Sequence, residues 1–291
     1  MSIKKLLRSG LELALSSLAT KKSVYANVTT LAPNELLKGR GALVTGGSSG
    51  IGFAIAKSFL EAGASVIITG RDNAKLDKKV MQLRESLPDC VIFGMQMDNL
   101  NTKEFQSKLN EAIQLVNKPI DILVNNAGVN GCWFGDAKEE DYDLIMNTNL
   151  RGVFFLSQVF AHYMKDNHIM GNILNVASSS SLRPAASVYT LSKWGIRGLT
   201  LGMARMLAPY GIVVNGIAPG PTATPMLMPD GIKDDIVMNN NLAGRYALPE
   251  EIASMAVVLV SNMSRLVIGD IVYMTGGAGL ITNDDIDYTF K

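Results

Sequence analysis

Seven short runs rich in Val, Ile, Leu and Ala punctuate the chain, at 42–44, 64–69, 91–97, 121–124, 172–177, 212–217 and 270–274. They are apolar runs rather than apolar/polar alternations, as expected of strands buried on both faces. Longer segments with apolar positions at helical spacing lie between them. These predict helices over 51–60 (ending near Gly63), 74–87 (stopped by Pro88), 102–116, 139–165, 189–207 and 249–263. Pro249 opens the last with P-E-E, and proline suits a first helical turn. Strand and helix alternate throughout, so the expected fold class is α/β, with a doubly wound parallel sheet of seven strands. No linker and no internal repeat divides this region. Residues 39–291 are read as one domain, and 1–38 as an N-terminal helical extension.

The first strand runs into T-G-G-S-S-G-I-G at 45–52, and a helical segment follows. A strand, a glycine turn and a helix form a Rossmann-like unit. Its glycines let the backbone approach a ligand, and its helix N-terminus suits a phosphate. Three spaced glycines alone also suit a plain βα connection. Inside a continuing βαβ pattern they favour dinucleotide binding. Ligands of such sheets bind beyond the carboxyl ends of the strands. The polar clusters at 45–50, 70–72, 98–99, 125–128, 178–181 and 218–224 all fall there and are expected to converge on one cleft.

Composition narrows the classes. The 291 residues are 47% hydrophobic and carry a net charge of +1 without a basic block, which disfavours nucleic acid as a partner. Cys90 and Cys132 offer neither metal spacing nor a disulfide framework, and His162 and His168 are too few for a His-based metal site. No metal is expected. No apolar run is long enough to span a bilayer. Two thiols without an evident secretory signal point to the cytoplasm. In the extension, Leu7, Leu11, Ala14, Leu15 and Leu18 form a helical stripe, while Arg8 and Glu12 interrupt any signal-peptide core. An extra helix packed on the body or on a neighbouring subunit is the first reading. Membrane-surface docking ranks second and an organelle transit peptide third.

Tyr189 and Lys193 stand four apart in Y-T-L-S-K, which places them on one face of a helix. A phenol is a poor acid or base at neutral pH. A neighbouring ammonium favours the phenolate and equips it for proton exchange with a carbonyl or alcohol. An ordinary amphipathic Tyr/Lys pair has the same spacing. The location, one helix after the fifth strand of a dinucleotide fold, favours the chemical reading.

T-G-G-S-S-G-I-G (45–52), N-N-A-G (125–128), N-T-N-L-R-G (147–152), the serine after the fifth strand, Y-T-L-S-K (189–193) and P-G-P-T-A-T (219–224) together resemble the short-chain dehydrogenase/reductase family. The match runs from about Gly39 to Gly279. It implies an NAD(P)-dependent oxidoreductase with Tyr189 as acid/base. Lys193 would lower the phenol pKa and hold the nicotinamide ribose. Ser178 would bond the substrate oxygen, and Asn149 would hold a water in a proton relay to Lys193. The stretch from Ser178 to Tyr189 is slightly short for the family, which leaves Ser179 and Ser180 as alternatives to Ser178. For the cofactor the resemblance implies Thr45, Gly46, Ser48, Ser49, Gly50, Ile51 and Gly52 at the pyrophosphate turn. Asp98 and Asn99 belong near the adenine, Asn125, Ala127 and Gly128 on the floor, and Pro219, Gly220, Thr222 and Thr224 near the carboxamide. The second strand ends in Gly70-Arg71 rather than an acidic residue. Arg71 suits a ribose 2′-phosphate, with Ser48 adding a hydroxyl, so NADP(H) is expected and NAD(H) is the alternative. The family implies a homotetramer or homodimer assembled through the helices near 139–165 and 187–207.

Substrate contacts are expected from Trp133, Met226, Ser178 and Tyr189. The segment from Thr222 to about Tyr246 reads as a lid. Its Met/Leu cluster, with Trp133 and Phe134, suggests a lipophilic ketone or a hydroxysteroid-like substrate. A 3-oxoacyl-carrier-protein reductase, a sugar or polyol dehydrogenase and a non-catalytic dinucleotide-binding regulator are the alternatives.

Overall fold

A computed structural model describes residues 35–228, 236–238 and 242–278. The stripe in the extension, the tail from 279 and parts of the expected lid (229–235 and 239–241) lie outside the described residues. Strands β1 (Gly41–Thr45), β2 (Ser65–Gly70), β3 (Ile92–Gln96), β4 (Ile122–Asn125), β5 (Asn172–Val176), β6 (Val213–Pro219) and β7 (Ile271–Met274) form one sheet in the order β3-β2-β1-β4-β5-β6-β7. Every pairing is parallel. This is the doubly wound α/β architecture expected from the sequence.

The helices are α1 (Gly50–Glu61), α2 (Asn73–Ser86), α3 (Phe105–Val116), α4 (Glu139–Met146), α5 (Gly152–Asp166), α6 (Val188–Leu207) and α7 (Pro249–Val260). Alternate strand residues feed opposite cores, because side chains in a strand alternate between faces. Val44, Ile68 and Val124 pack with Ile55 and Phe59 of α1, Leu76 of α2 and Ile252 of α7. Leu43, Ile67 and Leu123 pack with Leu109 of α3, Phe160 of α5 and Met203 of α6. Burial on both faces is why these strands read as continuous apolar runs.

The single helix expected over 139–165 is interrupted. A π-helical turn, Asn147–Arg151, separates α4 from α5. Such turns insert one residue into the hydrogen-bond ladder and often occur at functional sites. Asn149 lies in this turn with its side chain buried.

At the amino ends of the strands, Arg40 and Asp121 form an ion pair through Nε and Oδ2. The guanidinium also donates to Asn172 Oδ1 (2.9 Å) and to the Val260 carbonyl (3.2 Å). Asp121 Oδ1 accepts from the Gly41 N–H at 3.0 Å. Four segments are thereby held at one point opposite the cleft. Replacing Asp121 with Ala leaves a mostly buried guanidinium without its counter-charge. The expected loss is about 2 kcal/mol of unfolding free energy. Urea unfolding measures it, and an unchanged midpoint would count against the clamp.

Candidate active site

The sheet order reverses between β1 and β4, and a cavity of about 570 Å³ opens above their carboxyl ends. One threonine holds its floor. Thr45 Oγ1 donates to the Val124 carbonyl (3.2 Å) and accepts from the N–H groups of Asn126 (2.9 Å) and Ala127 (3.0 Å). The Asn126 amide donates to the carbonyls of Thr45 (2.9 Å) and Gly46 (3.2 Å). Gly46 takes φ +64, the left-handed region that favours glycine. A Cβ on Gly52 would lie 2.4 Å from the Asn126 amide nitrogen and 2.5 Å from the Gly46 carbonyl oxygen. Gly52 therefore lets α1 close onto the turn.

Ser48, Ser49, Gly50 and Ile51 line the cavity where α1 begins. Ser49 caps α1 without a side-chain hydrogen bond, and the first turn holds no acidic residue. Its free N–H groups and positive dipole end fit a pyrophosphate. This cradle fits the dinucleotide that the sequence implies. Gly70, Arg71 and Lys75 lie at the end of β2, beside Ser48. The Asp72 carboxylate accepts from the Lys75 N–H (3.1 Å), so it caps α2 and is not paired with Arg71. Lys75 is a second cation on this wall that the sequence reading missed. Its place in the first turn of the helix after Arg71 was the available signal.

Asp98 and Asn99 also line the cavity, and the Asn99 amide nitrogen is buried with no partner among the described residues. Ala127 and Gly128 form the floor, with Pro219, Gly220, Thr222 and Thr224 opposite. Thr45, Gly52 and Asn125, expected as cofactor contacts, and Asn149, expected in a proton relay, lie behind the wall. Asn125 shares the Leu123 face of β4, so its amide donates to Ser157 Oγ and Asn175 Oδ1, both at 2.9 Å. Asn126 takes its place in the wall. Both amide hydrogens of Asn149 are used, on the Val129 carbonyl (2.8 Å) and Ser192 Oγ (3.1 Å). Asn149 Oδ1 accepts from the Val129 N–H at 2.8 Å. The Asn149 side chain thus clamps Val129 from both its amide nitrogen and its carbonyl oxygen.

Ser178, Tyr189 and Lys193 meet in the cavity wall. Ser187 caps α6 by accepting from the Thr190 N–H (3.2 Å), which places Tyr189 in the first turn and Lys193 one turn later. Ser178, Ser179 and Ser180 all line the cavity, and of the three only the Ser178 hydroxyl acts on the Tyr189 phenol, drawing its pKa down. Lys193 Nζ donates to the Val176 carbonyl (2.8 Å) and lies 5.6 Å from the centre of the Tyr189 ring. Burial pushes the Tyr189 phenol above its ordinary value, and the Ser178 hydrogen bond pulls it back. The depression expected from Lys193 does not appear. That ammonium is itself desolvated, with its pKa lowered to about 8.

Trp133, Met226 and Leu227 form an apolar rim, and Arg183 is a cation on the same side. Phe134, 93% exposed, points away from the wall. Among the described residues no cluster of His, Cys, Asp or Glu could hold a metal, and no helix is long and apolar enough to cross a membrane.

A glycine cradle at the switch point and a Ser/Tyr/Lys group in the same cavity define a dinucleotide-dependent oxidoreductase. Residues 40–234 match the family model described as short chain dehydrogenase, and the chain belongs to that family. It is 36% identical to a 3alpha-hydroxysteroid dehydrogenase of Mediterraneibacter gnavus, over 84% of this chain and 98% of the relative. It is 35% identical to a 3-oxoacyl-acyl-carrier-protein reductase of Thermotoga maritima, over 83% and 98%. A crystal structure of a short-chain type dehydrogenase/reductase from Mycobacterium marinum superposes with a TM-score of 0.79 at 29% identity, covering 86% of this chain and 99% of that one. The protein is thus an NAD(P)(H)-binding oxidoreductase of alcohol and ketone substrates.

Burial of Lys193 makes a signed prediction about stability. Its folded pKa is about 8, against an ordinary 10.5, so between those values the unfolded chain binds more protons. Stability gains from this group as pH rises through that window. The stability of the natural chain relative to Lys193→Met should therefore increase by roughly 3 kcal/mol from pH 7 to pH 10.5. Urea unfolding at both pH values measures this, and a pH-independent difference would refute it.

Proposed function

We propose that the chain interconverts a lipophilic ketone and its secondary alcohol, on a hydroxysteroid-like substrate, using NADP(H). The observation that carries the reading is the cavity itself. One side holds Ser178, Tyr189 and Lys193 under an apolar rim, and at the far end β2 runs into Arg71, with Lys75 beside it, rather than into a carboxylate. The similarity to a hydroxysteroid dehydrogenase supports the substrate class. Trp133, Met226 and Leu227 supply apolar contact for such a body.

The nicotinamide, when bound, supplies or accepts the hydride. Tyr189 donates the phenolic proton to the substrate oxygen in reduction and receives it in oxidation. The Ser178 hydroxyl accepts from the Ser180 N–H (3.1 Å), so its own proton is available for the substrate oxygen. Lys193 uses one hydrogen on Val176 and has two left for the ribose hydroxyls. Asn149 acts through Ser192, whose hydroxyl donates to the Tyr189 carbonyl at 2.7 Å. Ser48, Arg71 and Lys75 hold the 2′-phosphate. Phe154 and Phe155 on α5, with Leu191 and Leu201 on α6, are exposed apolar side chains that support assembly through these helices.

Tyr189→Phe should lower kcat at least about a hundredfold, with NADPH affinity unchanged. Stopped-flow turnover and NADPH fluorescence titration read the two effects, and retained turnover would remove Tyr189 as the acid. Arg71→Ala should weaken NADPH at least about tenfold and leave NADH within about twofold. Equal losses for both cofactors would refute the 2′-phosphate role. A panel of 3-oxosteroid, acetoacetyl thioester and 5-ketogluconate tests the substrate. Activity confined to the thioester or the sugar acid would overturn the lipophilic reading.

A further inference from the structure

We propose that Tyr273 and Ser181 are positioning residues for Ser178, bracing the turn that carries it through a chain of two hydroxyls anchored on β7. The inference rests on the substrate-oxygen role of Ser178 given above.

Ser178 follows β5 directly and opens a short 3-10 turn, Ser179–Leu182. Ser181 Oγ donates to the Ser178 carbonyl at 2.7 Å. A serine hydroxyl has one proton, and that bond uses it. In the 3.3 Å contact between Ser181 Oγ and the Tyr273 hydroxyl, Tyr273 is therefore the donor. The chain has a direction: Tyr273 O–H to Ser181 O–H to Ser178 C=O, each bond polarising the next. Ser181 N–H reinforces it, donating to the same carbonyl at 3.0 Å.

The anchor is firm. Ser181 is fully buried, and Tyr273 lies on β7 and packs against the cluster of Val153, Ala177, Ile196 and Ala218. β7 pairs with β6, which pairs with β5, so the brace returns across two strands to the turn that β5 launches. Neither Tyr273 nor Ser181 lines the cavity that holds Ser178 and Tyr189. Tyr273 borders a separate cavity of about 340 Å³, beside Arg245 and Glu251. The pair therefore acts through Ser178. With its carbonyl braced from behind, Ser178 enters the wall it shares with Tyr189 from a braced turn, its hydroxyl accepting from the Ser180 N–H.

Tyr273→Phe keeps the packing and deletes the donated proton. It is measured beside Ser178→Ala and the double variant, with NADPH and whichever carbonyl of the panel above the natural chain reduces best. Expected is a fall in kcat of about two- to tenfold in Tyr273→Phe, with KM and NADPH affinity within about twofold. In the Ser178→Ala background the same change should leave kcat unaltered, because the group it positions is gone. Ser181→Ala should reproduce Tyr273→Phe. An unchanged kcat in both single variants would overturn the proposal, as would an equal loss with and without Ser178. Full turnover in Ser178→Ala would instead overturn the role given to Ser178 itself. A lowered melting temperature with natural kcat would mark the pair as structural only and also overturn it.

Discussion

The hydroxyl of Thr45 is the point on which the cleft depends. At the switch point the chain leaves β1 in one direction and β4 in the other, and two loops must part without exposing their backbone to a dry interior. Thr45 Oγ1 satisfies two N–H groups of one loop and donates to the strand below it. The Asn126 amide closes the pair from the other side. Both loops are thereby fixed at the place where a pyrophosphate fits the uncapped end of α1. The glycines serve this join. A side chain at position 52 would occupy the space of the Asn126 amide, and the turn could not be stapled shut.

Burial governs the chemistry as firmly as geometry does. A phenol and an ammonium in the same wall are both desolvated, which disfavours the charged form of each. The familiar idea of a cation lowering a neighbouring phenol treats only the attraction between them. In the chain alone, desolvation raises the Tyr189 phenol and the Ser178 hydroxyl pulls it back. Lys193, with a pKa of about 8, keeps most of its charge at neutral pH but holds it less firmly than an exposed lysine. Bound cofactor and substrate would change this balance by adding polar partners to both groups.

The sequence carried the sheet because its strands are apolar on both faces, and it carried Tyr189 and Lys193 because helical spacing is local. The side of β4 on which Asn125 points was also legible in principle. Ile122 and Val124 feed one core and Leu123 the other, so the next residue follows Leu123 away from the cleft. The π-helical turn at Asn149 was not legible, because apolar periodicity runs through it. What distinguishes it is tertiary, the bonds of Asn149 to Val129 and Ser192. The tether from Tyr273 was hidden for the same reason, joining residues 92 positions apart.

Ser178, Tyr189 and Lys193 differ in how the fold holds them. Tyr189 and Lys193 ride on a twenty-residue helix, so their relation is set by helix geometry and needs no further support. Ser178 sits where a strand ends and a short turn begins, a place with no such regularity. Catalytic geometry tolerates little displacement: a shift of about 1 Å can cost roughly a hundredfold in rate. A loop residue that must match a helical pair therefore needs an external reference. The sheet offers one, since β7 is paired with β6 and close enough for a tyrosine to reach the turn. On this view the hydroxyl of Tyr273 does for the loop what four residues of α6 do for Tyr189 and Lys193.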